Sequence, residues 1–166
     1  MKSEIKLVAF DVDGVLTDGS LTFDEMGHEY KTFNAKDGQG IVNLNNTGII
    51  TAIITARDSG TVEHRAKNLN IKELHQGVKN KLSVLECIMA KYGLSFDEIA
   101  YMGDDLPDIP VLEKVAIKAC PNDAVDEVKV IANFVSSKNG GRGAVRELCD
   151  YILSLCKTSH TTSYHG

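Results

Sequence analysis

The 166-residue sequence lacks the patterns that identify secreted, membrane, zinc-binding and nucleic-acid-binding proteins. Its four cysteines, Cys87, Cys120, Cys149 and Cys156, form no C-x-x-C pair, which favours reduced thiols. None of its five histidines has a partner at zinc-ligand spacing. No run of 18 apolar residues occurs, and the apolar stretch near the amino terminus is too short for a signal peptide. The net charge of −5 gives no support for a nucleic-acid groove. We therefore expect a soluble, cytoplasmic protein whose partners include neither nucleic acid nor membrane.

The composition is that of an ordinary globular domain, with 43% hydrophobic and 25% charged residues. A chain of this length can bury on the order of 70% of its unfolded surface. We expect one domain over residues 1–156. Residues 157–166 read KTSHTTSYHG and show no apolar stripe, so we expect them to form a flexible tail.

Apolar periodicity predicts strands that alternate with helices. The predicted strands are 4–10, 49–54, 98–102, 115–119 and 131–135, and a hairpin is expected at about 19–34, with its turn at 24–27. The predicted helices are 38–47, 60–69, 78–92, 107–113, 122–128 and 142–156. Continuous apolar runs favour buried parallel strands, so the fold class is α/β with a doubly wound parallel sheet. Ligands of such sheets bind beyond the carboxyl ends of the strands.

Polar side chains follow three of the predicted strands, and a lysine begins a helix between the second and third of them. These residues are Asp11 and Asp13, then Thr55, then Lys81, then Asp104, Asp105 and Asp108. Two carboxylates ~4 Å apart repel by roughly 4 kcal/mol at an effective dielectric constant near 20, so a cation is needed among them. Carboxylate oxygens without histidine or cysteine are a ligand set that suits Mg²⁺.

Phosphoryl transfer is the chemistry that such a site supports. Magnesium that is held by one or two carboxylates usually takes a substrate phosphate as a further ligand, and Lys81 and Thr55 would donate to the other phosphoryl oxygens. A carboxylate can attack phosphorus to form an aspartyl-phosphate. The second aspartate of the D-x-D pair can protonate the leaving alkoxide and then deprotonate water.

Four motifs, in this order, resemble the haloacid dehalogenase (HAD) superfamily: Asp11-Val12-Asp13-Gly14, Ile54-Thr55, Lys81 and the segment 103–108, GDDLPD. The resemblance implies a HAD-like Rossmannoid core. The roles that it implies are Asp11 as nucleophile, Asp13 as general acid/base, Thr55 and Lys81 as phosphate ligands, and Asp11, Asp13 and Asp104 as the Mg²⁺ site. Asp108 is expected in a supporting position, and Asp105 either in a supporting position or as the cap of the next helix, with Pro107 near its first turn.

The spacing leaves no room for a cap domain. About 38 residues separate the first strand from the second, and the hairpin and one helix use them; 25 residues separate Thr55 from Lys81. Water must nevertheless be excluded while an aspartyl-phosphate forms. Either a macromolecular substrate or a neighbouring copy of the chain would cover the open site, and the hairpin is well placed for the second arrangement.

The segments DVDGVLTDG, FNAKDGQGI, GDDLPD and GGRGAVRELCDYIL are similar to the 3-deoxy-D-manno-octulosonate 8-phosphate (KDO 8-phosphate) phosphatase family. The similarity runs from about residue 5 to 156. It implies Mg²⁺-dependent hydrolysis of KDO 8-phosphate in lipopolysaccharide precursor synthesis, by a homotetramer whose hairpins help to close neighbouring sites. The implied substrate-site residues are Asn34, Ala35, Lys36, Asp37, Gly38, Arg57 and Arg65. Ala56 stands where relatives commonly have glycine, which matters only if that position needs a positive φ.

Two other functions have to be separated from this one. A sister group that acts on 2-keto-3-deoxynononate or N-acetylneuraminate 9-phosphates typically carries Glu where Arg57 stands, so Arg57 favours the eight-carbon sugar acid. A non-catalytic phospho-accepting or oligomerisation module is the other alternative. Receivers place the accepting aspartate after a middle strand, whereas here the D-x-D pair follows the first.

Asp18 is interpreted as a turn residue. The segment 140–143 is either a flexible entry to the last helix or part of the site.

Overall fold

Six parallel strands form the central sheet of the computed structural model, which describes residues 4–161. In chain order the strands are β1 (Leu7–Phe10), the hairpin strands β2 (Thr22–Phe23) and β3 (Glu29–Tyr30), then β4 (Ile50–Ile54), β5 (Glu73–His75), β6 (Ile99–Met102), β7 (Ile117–Cys120) and β8 (Phe134–Val135). The sheet order is β5-β4-β1-β6-β7-β8. The hairpin strands pair antiparallel outside this sheet, with the turn at 24–27 where it was predicted.

Helices cover both faces of the sheet, which confirms the doubly wound α/β fold. They are α1 (Ala35–Asn46), α2 (Gly60–Asn68), α3 (Lys81–Tyr92), α4 (Ile109–Leu112), α5 (Asp126–Ile131) and α6 (Ala144–Thr161). Side chains of β1 alternate between the faces: Val8 and Phe10 pack with α1, α2 and α6, and Leu7 and Ala9 pack with α3, α4 and α5. Within residues 4–161, no helix combines the length and the apolar character needed to cross a membrane.

The segments that could carry a cap domain contain only small elements. The hairpin and α1 lie between β1 and β4, and α2 and β5 lie between β4 and α3. The capless arrangement that the spacing predicts is therefore confirmed.

Several predicted elements differ from the structure. Helix α1 begins at Ala35 and not at 38, α3 begins at Lys81 and not at 78, and only Phe134–Val135 of the strand predicted at 131–135 is a strand. The helix predicted at 122–128 is wrong: after Pro121 the chain forms a turn, Val125 is extended, and α5 begins only at Asp126. Strand β5 was not predicted at all, because its sequence Glu-Leu-His is short and polar. Helix α6 was expected to end at residue 156, but it continues to Thr161, and none of residues 157–161 is a glycine or proline that would end it. The remainder of the expected tail, 162–166, lies outside the described residues.

Glu73 gives β5 its attachment to α3. Its carboxylate accepts hydrogen bonds from Lys91 Nζ (2.5 Å) and the Tyr92 hydroxyl (2.7 Å), and it contacts His75 Nε2 at 2.9 Å. Burial alone would raise the pKa of Glu73, but these hydrogen bonds outweigh it and lower the pKa to about 2. Glu73 is thus a buried charged residue on an edge strand, and partners on the next helix, α3, stabilise its charge.

The glycines at 140 and 141 pack directly against the loop that follows β1. Gly141 N donates to Val15 O at 2.9 Å, and Gly140 N donates to the Asp123 carboxylate at 2.9 Å. A Cβ atom on Gly140 would lie 1.9 Å from the carbonyl oxygen of Gly14. The segment 140–143 therefore supports the loop that carries the D-x-D motif, and it does so through a backbone approach that only glycine permits.

We expect Gly140→Ala to lower the free energy of unfolding by about 2 kcal/mol or more, because its Cβ would overlap backbone atoms that cannot rotate away. Urea unfolding would measure the loss. Gly60→Ala is the matched control, since a Cβ on Gly60 meets nothing within 4 Å. Equal stability of the two variants would contradict the close approach.

We expect Glu73→Gln to lower the free energy of unfolding at pH 7 by about 1 kcal/mol; the value is modest because Lys91 is largely exposed. A lowered pKa means that the carboxylate stabilises the fold above its ordinary pKa of 4.5 and that this stabilisation is lost as the pH falls through about 2. The difference between wild type and variant should therefore shrink between pH 4.5 and 2. Glu86→Gln, an exposed change on α3, is the control, and a pH-independent difference would contradict the prediction.

Candidate active site

Three parallel strands deliver the predicted residues to one edge of the sheet. Phe10, the last residue of β1, pairs with Ile53 in β4 and with Met102 in β6. The residues after these strand ends, Asp11, Thr55 and Gly103-Asp104, are therefore brought to the same edge. Thr55 is buried, and its hydroxyl oxygen accepts a hydrogen bond from Arg57 N at 3.4 Å.

Three carboxylates form an acidic cluster at this edge. One oxygen from each of Asp11, Asp104 and Asp108 lies within 4.8 Å of the others. Burial, then the charges of Asp11, Asp108 and Asp105, raise the pKa of Asp104 to about 8. Burial and the charge of Asp108 raise the pKa of Asp11 to about 6, although Lys81 partly offsets them. The cluster therefore needs additional positive charge if all three groups are to be ionised at neutral pH.

Lys81 supplies one positive charge to the acidic cluster. Its Nζ lies 3.0 Å from Asp11 Oδ1 and 2.8 Å from Asp108 Oδ1, and its side chain is 5% exposed. It is the first residue of α3, which begins at this point because the Asn80 side chain accepts a hydrogen bond from Ser83 N. Burial would lower the pKa of Lys81, but Asp11 and Asp108 outweigh it and raise the pKa. Lys81 is therefore held as a cation.

Asp108 connects the cluster to the loop after β6. It is fully buried; Oδ1 accepts from Lys81 and from the Tyr101 hydroxyl at 2.5 Å, and Oδ2 accepts from Asp104 N at 2.9 Å and Asp105 N at 3.2 Å. Asp105, in contrast, is exposed, and its side chain accepts from Leu106 N as the cap of the short 3₁₀ turn Leu106–Asp108. Asp108 thus fixes the conformation that presents Asp104, as its predicted supporting position requires. Its contact with Tyr101 was not predicted.

The oxygen atoms of the cluster fit a hard divalent cation. Both oxygens of Asp108 already accept two hydrogen bonds each, whereas no hydrogen bond is made to the carboxylate of Asp104 within the described part of the chain. Among residues 4–161 the partners of the Asp11 carboxylate contact Oδ1, which accepts from Val12 N at 2.7 Å and lies 3.0 Å from Lys81 Nζ, so Oδ2 is available to a metal ion. Free oxygens of Asp11 and Asp104 are ligands of the type that Mg²⁺ prefers.

Asp13 lies in a second group of charges. Its Oδ1 accepts from Lys31 Nζ at 2.7 Å, and its Oδ2 is 4.0 Å from Arg57 Nε. The predicted metal role of Asp13 is therefore not supported for its carboxylate, which turns to these two cations instead of joining the acidic cluster. Lys31 also donates to Glu29 at 2.6 Å, and Glu29 accepts a further hydrogen bond from Arg57.

Glu29 and Lys31 were missed in the sequence. Glu29 begins β3 and Lys31 directly follows its last residue, and residues two positions apart in an extended chain point to the same side. That spacing could have indicated a shared charged face. It could not have indicated that the face docks onto Asp13, because the hairpin's position against the sheet is set by tertiary packing.

The predicted substrate residues of α1 are divided between the surface and the interior. Asn34 caps the helix by accepting from Lys36 N and Asp37 N, and Ala35 and Lys36 are exposed. Asp37 and Gly38 are buried, so neither of these two residues faces solvent. Asp37 Oδ1 accepts from Arg146 N, and Asp37 Oδ2 is buried with no hydrogen-bond partner among the described residues.

Arg65 lies beside the start of α1. It donates to Asn34 O at 3.3 Å and stands 5.6 Å above the ring of Phe33. A Cβ on Gly38 would lie 2.4 Å from Arg65 Nη2, so the glycine makes room for this arginine. A cavity of about 330 Å³ adjoins these residues; it is lined by Phe33, Ala35, Thr61, His64, Arg65 and Asn68.

Two further details of the motifs are clear from the backbone. Asn70 is the one non-glycine residue with positive φ in the described chain, so Ala56 occupies its position without strain. Asp18 is exposed and accepts from Ser20 N at 2.9 Å, which matches its interpretation as a turn residue.

Known proteins match the chain over most of its length. A family model described as haloacid dehalogenase-like hydrolase matches residues 73–148. The 3-deoxy-D-manno-octulosonate 8-phosphate phosphatase of Escherichia coli strain K12 is 43% identical over 149 residues, which are 90% of this chain and 79% of the relative.

Solved structures match the fold at 40% identity or more. The 3-deoxy-D-manno-octulosonate 8-phosphate phosphatase from Moraxella catarrhalis, in complex with magnesium, phosphate and KDO, is 40% identical with a TM-score of 0.88, over 90% of this chain and 86% of that one. A probable YrbI family phosphatase from Pseudomonas syringae is 46% identical with a TM-score of 0.90, over 98% and 94% of the two chains. The chain therefore belongs to the haloacid dehalogenase-like hydrolases and, among them, to the 3-deoxy-D-manno-octulosonate 8-phosphate phosphatase family.

Proposed function

We propose that this protein hydrolyses KDO 8-phosphate to KDO and inorganic phosphate through an aspartyl-phosphate on Asp11, in lipopolysaccharide precursor synthesis. The observation that carries the proposal is the cluster of Asp11, Asp104 and Asp108 around Lys81, at the edge where the HAD motifs converge. The family relationship supports the substrate: the Moraxella catarrhalis relative was solved with KDO, phosphate and magnesium bound.

Asp11 and Asp104 would hold Mg²⁺ with their free oxygens. When bound, the ion neutralises the repulsion between the Asp11 carboxylate and a phosphate dianion, which amounts to roughly 8 kcal/mol at ~4 Å and an effective dielectric constant of 20. Asp108 keeps Asp104 in place through its hydrogen bonds to the loop backbone. Its own oxygens are saturated, so we assign it support and not direct ligation.

Asp11 is the nucleophile in this proposal. Its Oδ2 would bind the metal ion, and Oδ1, which Val12 N and Lys81 hold in place, would attack phosphorus. Lys81 and the Thr55 hydroxyl lie at the same strand edge and would donate hydrogen bonds to phosphoryl oxygens as negative charge develops on them. These residues bind and orient the phosphoryl group.

Asp13 is the general acid/base. It lies two residues after the nucleophile, and its carboxylate is 26% exposed, which leaves it accessible to the substrate's leaving oxygen. It would give a proton to the sugar alkoxide, and then remove one from the water that attacks the aspartyl-phosphate. A base beside the aspartyl-phosphate would speed the hydrolysis of that adduct, which favours an enzyme over a phospho-accepting switch.

Arg57 is the proposed partner of the sugar-acid carboxylate. It is 42% exposed at the rim of the site, and a guanidinium can bind a carboxylate through two parallel hydrogen bonds. Its positive charge supports the eight-carbon substrate over the nine-carbon acids of the sister group.

The proposed assembly is a homotetramer in which neighbouring hairpins cover the open sites. The hairpin exposes four large apolar side chains: Leu21 (55%), Phe23 (53%), Met26 (82%) and Tyr30 (58%). Apolar side chains clustered on one small element are typical of an interaction surface. We assign the enzyme to the cytoplasm, which agrees with four free cysteines.

We expect Asp11→Asn to lower kcat on KDO 8-phosphate by on the order of 10³-fold or more, because the amide cannot attack phosphorus. EDTA should abolish the activity of the wild type, and added Mg²⁺ should restore it. Asp18→Asn is the matched control in the same segment, since asparagine can keep the turn. An Asp11→Asn variant as fast as the wild type, or EDTA-insensitive turnover, would refute the proposed mechanism.

We expect Arg57→Gln and Arg57→Glu to lower kcat/KM for KDO 8-phosphate by about 10-fold and about 100-fold respectively, because the first removes a charge and the second adds repulsion. Activity on p-nitrophenyl phosphate, which carries no carboxylate, should change little. The same assays on a nonulosonate 9-phosphate show whether Arg57→Glu shifts the preference to nine carbons. Lys67→Glu on the exposed face of α2 controls for net charge, and equal losses on both substrates would exclude carboxylate binding by Arg57.

A further inference from the structure

Four charged side chains of alternating sign form a closed ring beside the proposed nucleophile. Lys31 Nζ lies 2.7 Å from Asp13 and 2.6 Å from Glu29, Arg57 also contacts Glu29, and Arg57 Nε is 4.0 Å from Asp13. Two members, Glu29 and Lys31, come from the hairpin, while Asp13 and Arg57 follow β1 and β4. The ring therefore joins the hairpin to the two strands that build the site.

Lys31 is the least accessible member of the ring. Its side chain is only 3% exposed, compared with 19% for Glu29, 26% for Asp13 and 42% for Arg57. Lysine is almost never buried to this extent without paired acids, because a desolvated ammonium is costly. Lys31 is thus held in one position between two carboxylates, unlike an ordinary surface lysine.

The Asp13 carboxylate depends on this lysine for its orientation. Among the described residues, Lys31 Nζ is the one group within hydrogen-bond distance of that carboxylate. The Asp13 side chain otherwise rotates about two bonds, whereas a general acid has to be held within hydrogen-bond reach of the oxygen that it protonates. From this geometry we infer that Lys31 is a positioning residue for Asp13 and that Glu29 holds Lys31 in place. This inference rests on the proposed function of Asp13.

The effect of losing Lys31 should depend on the leaving group of the substrate. When the bond from Asp11 to phosphorus forms, the bond from phosphorus to the sugar oxygen breaks, and a proton passes from Asp13 to that oxygen. An alkoxide needs this proton, but p-nitrophenolate is stable enough to leave without it. Loss of Lys31 should therefore slow the cleavage of alkyl phosphates more than that of p-nitrophenyl phosphate.

The test is kcat/KM for KDO 8-phosphate and for p-nitrophenyl phosphate in wild type and Lys31→Met, since kcat/KM covers the steps through release of the alcohol. We expect a loss on the order of 10²-fold for the sugar phosphate and less than about 3-fold for the aryl phosphate. The loss should lie in kcat, with KM for KDO 8-phosphate nearly constant. Glu29→Gln, which keeps the side-chain shape, should show the same selective loss, by about 10-fold; it carries the test if Lys31→Met does not fold.

Lys91→Met is the matched control, because Lys91 also pairs with a glutamate but lies on α3 away from the site. It should leave both rate constants unchanged. Equal losses on both substrates, or no loss on either, would overturn the positioning role. If the wild type hydrolyses other alkyl phosphates but not KDO 8-phosphate, the proposed substrate is wrong, and the same comparison on those alkyl phosphates still decides the role of Lys31.

Discussion

The mutual repulsion of three carboxylates, held together by separate elements of the fold, is the constraint on which the rest of the site depends. Asp11 follows β1, while Asp104 and Asp108 belong to the loop after β6. Lys81 contacts Asp11 and Asp108 and compensates one of the three negative charges. The ionised cluster therefore keeps two negative charges, which one divalent cation would balance. Burial and the charges of the neighbouring carboxylates raise the pKa values of Asp11 and Asp104, as expected of a cluster that lacks positive charge. Parallel register makes the convergence unavoidable, because the residues that follow paired strands end at the same edge.

Asp108 shows how the fold withstands this repulsion. A fully buried carboxylate is unfavourable unless its lone pairs are satisfied, and Asp108 accepts from an ammonium, a phenol and two backbone amides. The same four bonds shape the loop that carries Asp104. Gly103 permits this packing, since a Cβ there would lie 2.4 Å from Asp108 Cβ. A single side chain thus links the charge of the cluster to the conformation of its neighbour.

The features that could be predicted from the sequence are the strands with a clear apolar pattern and the polar residues that directly follow them. Continuous apolar runs indicated β1, β4 and β6, and the acids that follow them could be placed at one edge by the rule for parallel sheets. Strand β5 was not predicted because Glu73 and His75 make its sequence resemble a loop, although Lys91 and Tyr92 on α3 stabilise the charge of Glu73. The pairing of Asp13 with Lys31 could not be foreseen for the same reason: it joins residues 18 positions apart through the docking of a hairpin.

The hairpin itself illustrates why alternation along a strand has functional meaning. Glu29 and Lys31 turn inward to Asp13 and Arg57, and Tyr30 between them is 58% exposed. A shift of the hairpin by one residue would exchange these faces, remove the cation from Asp13 and bury the tyrosine against charged groups. The charged ring therefore fixes the register of the hairpin against the site.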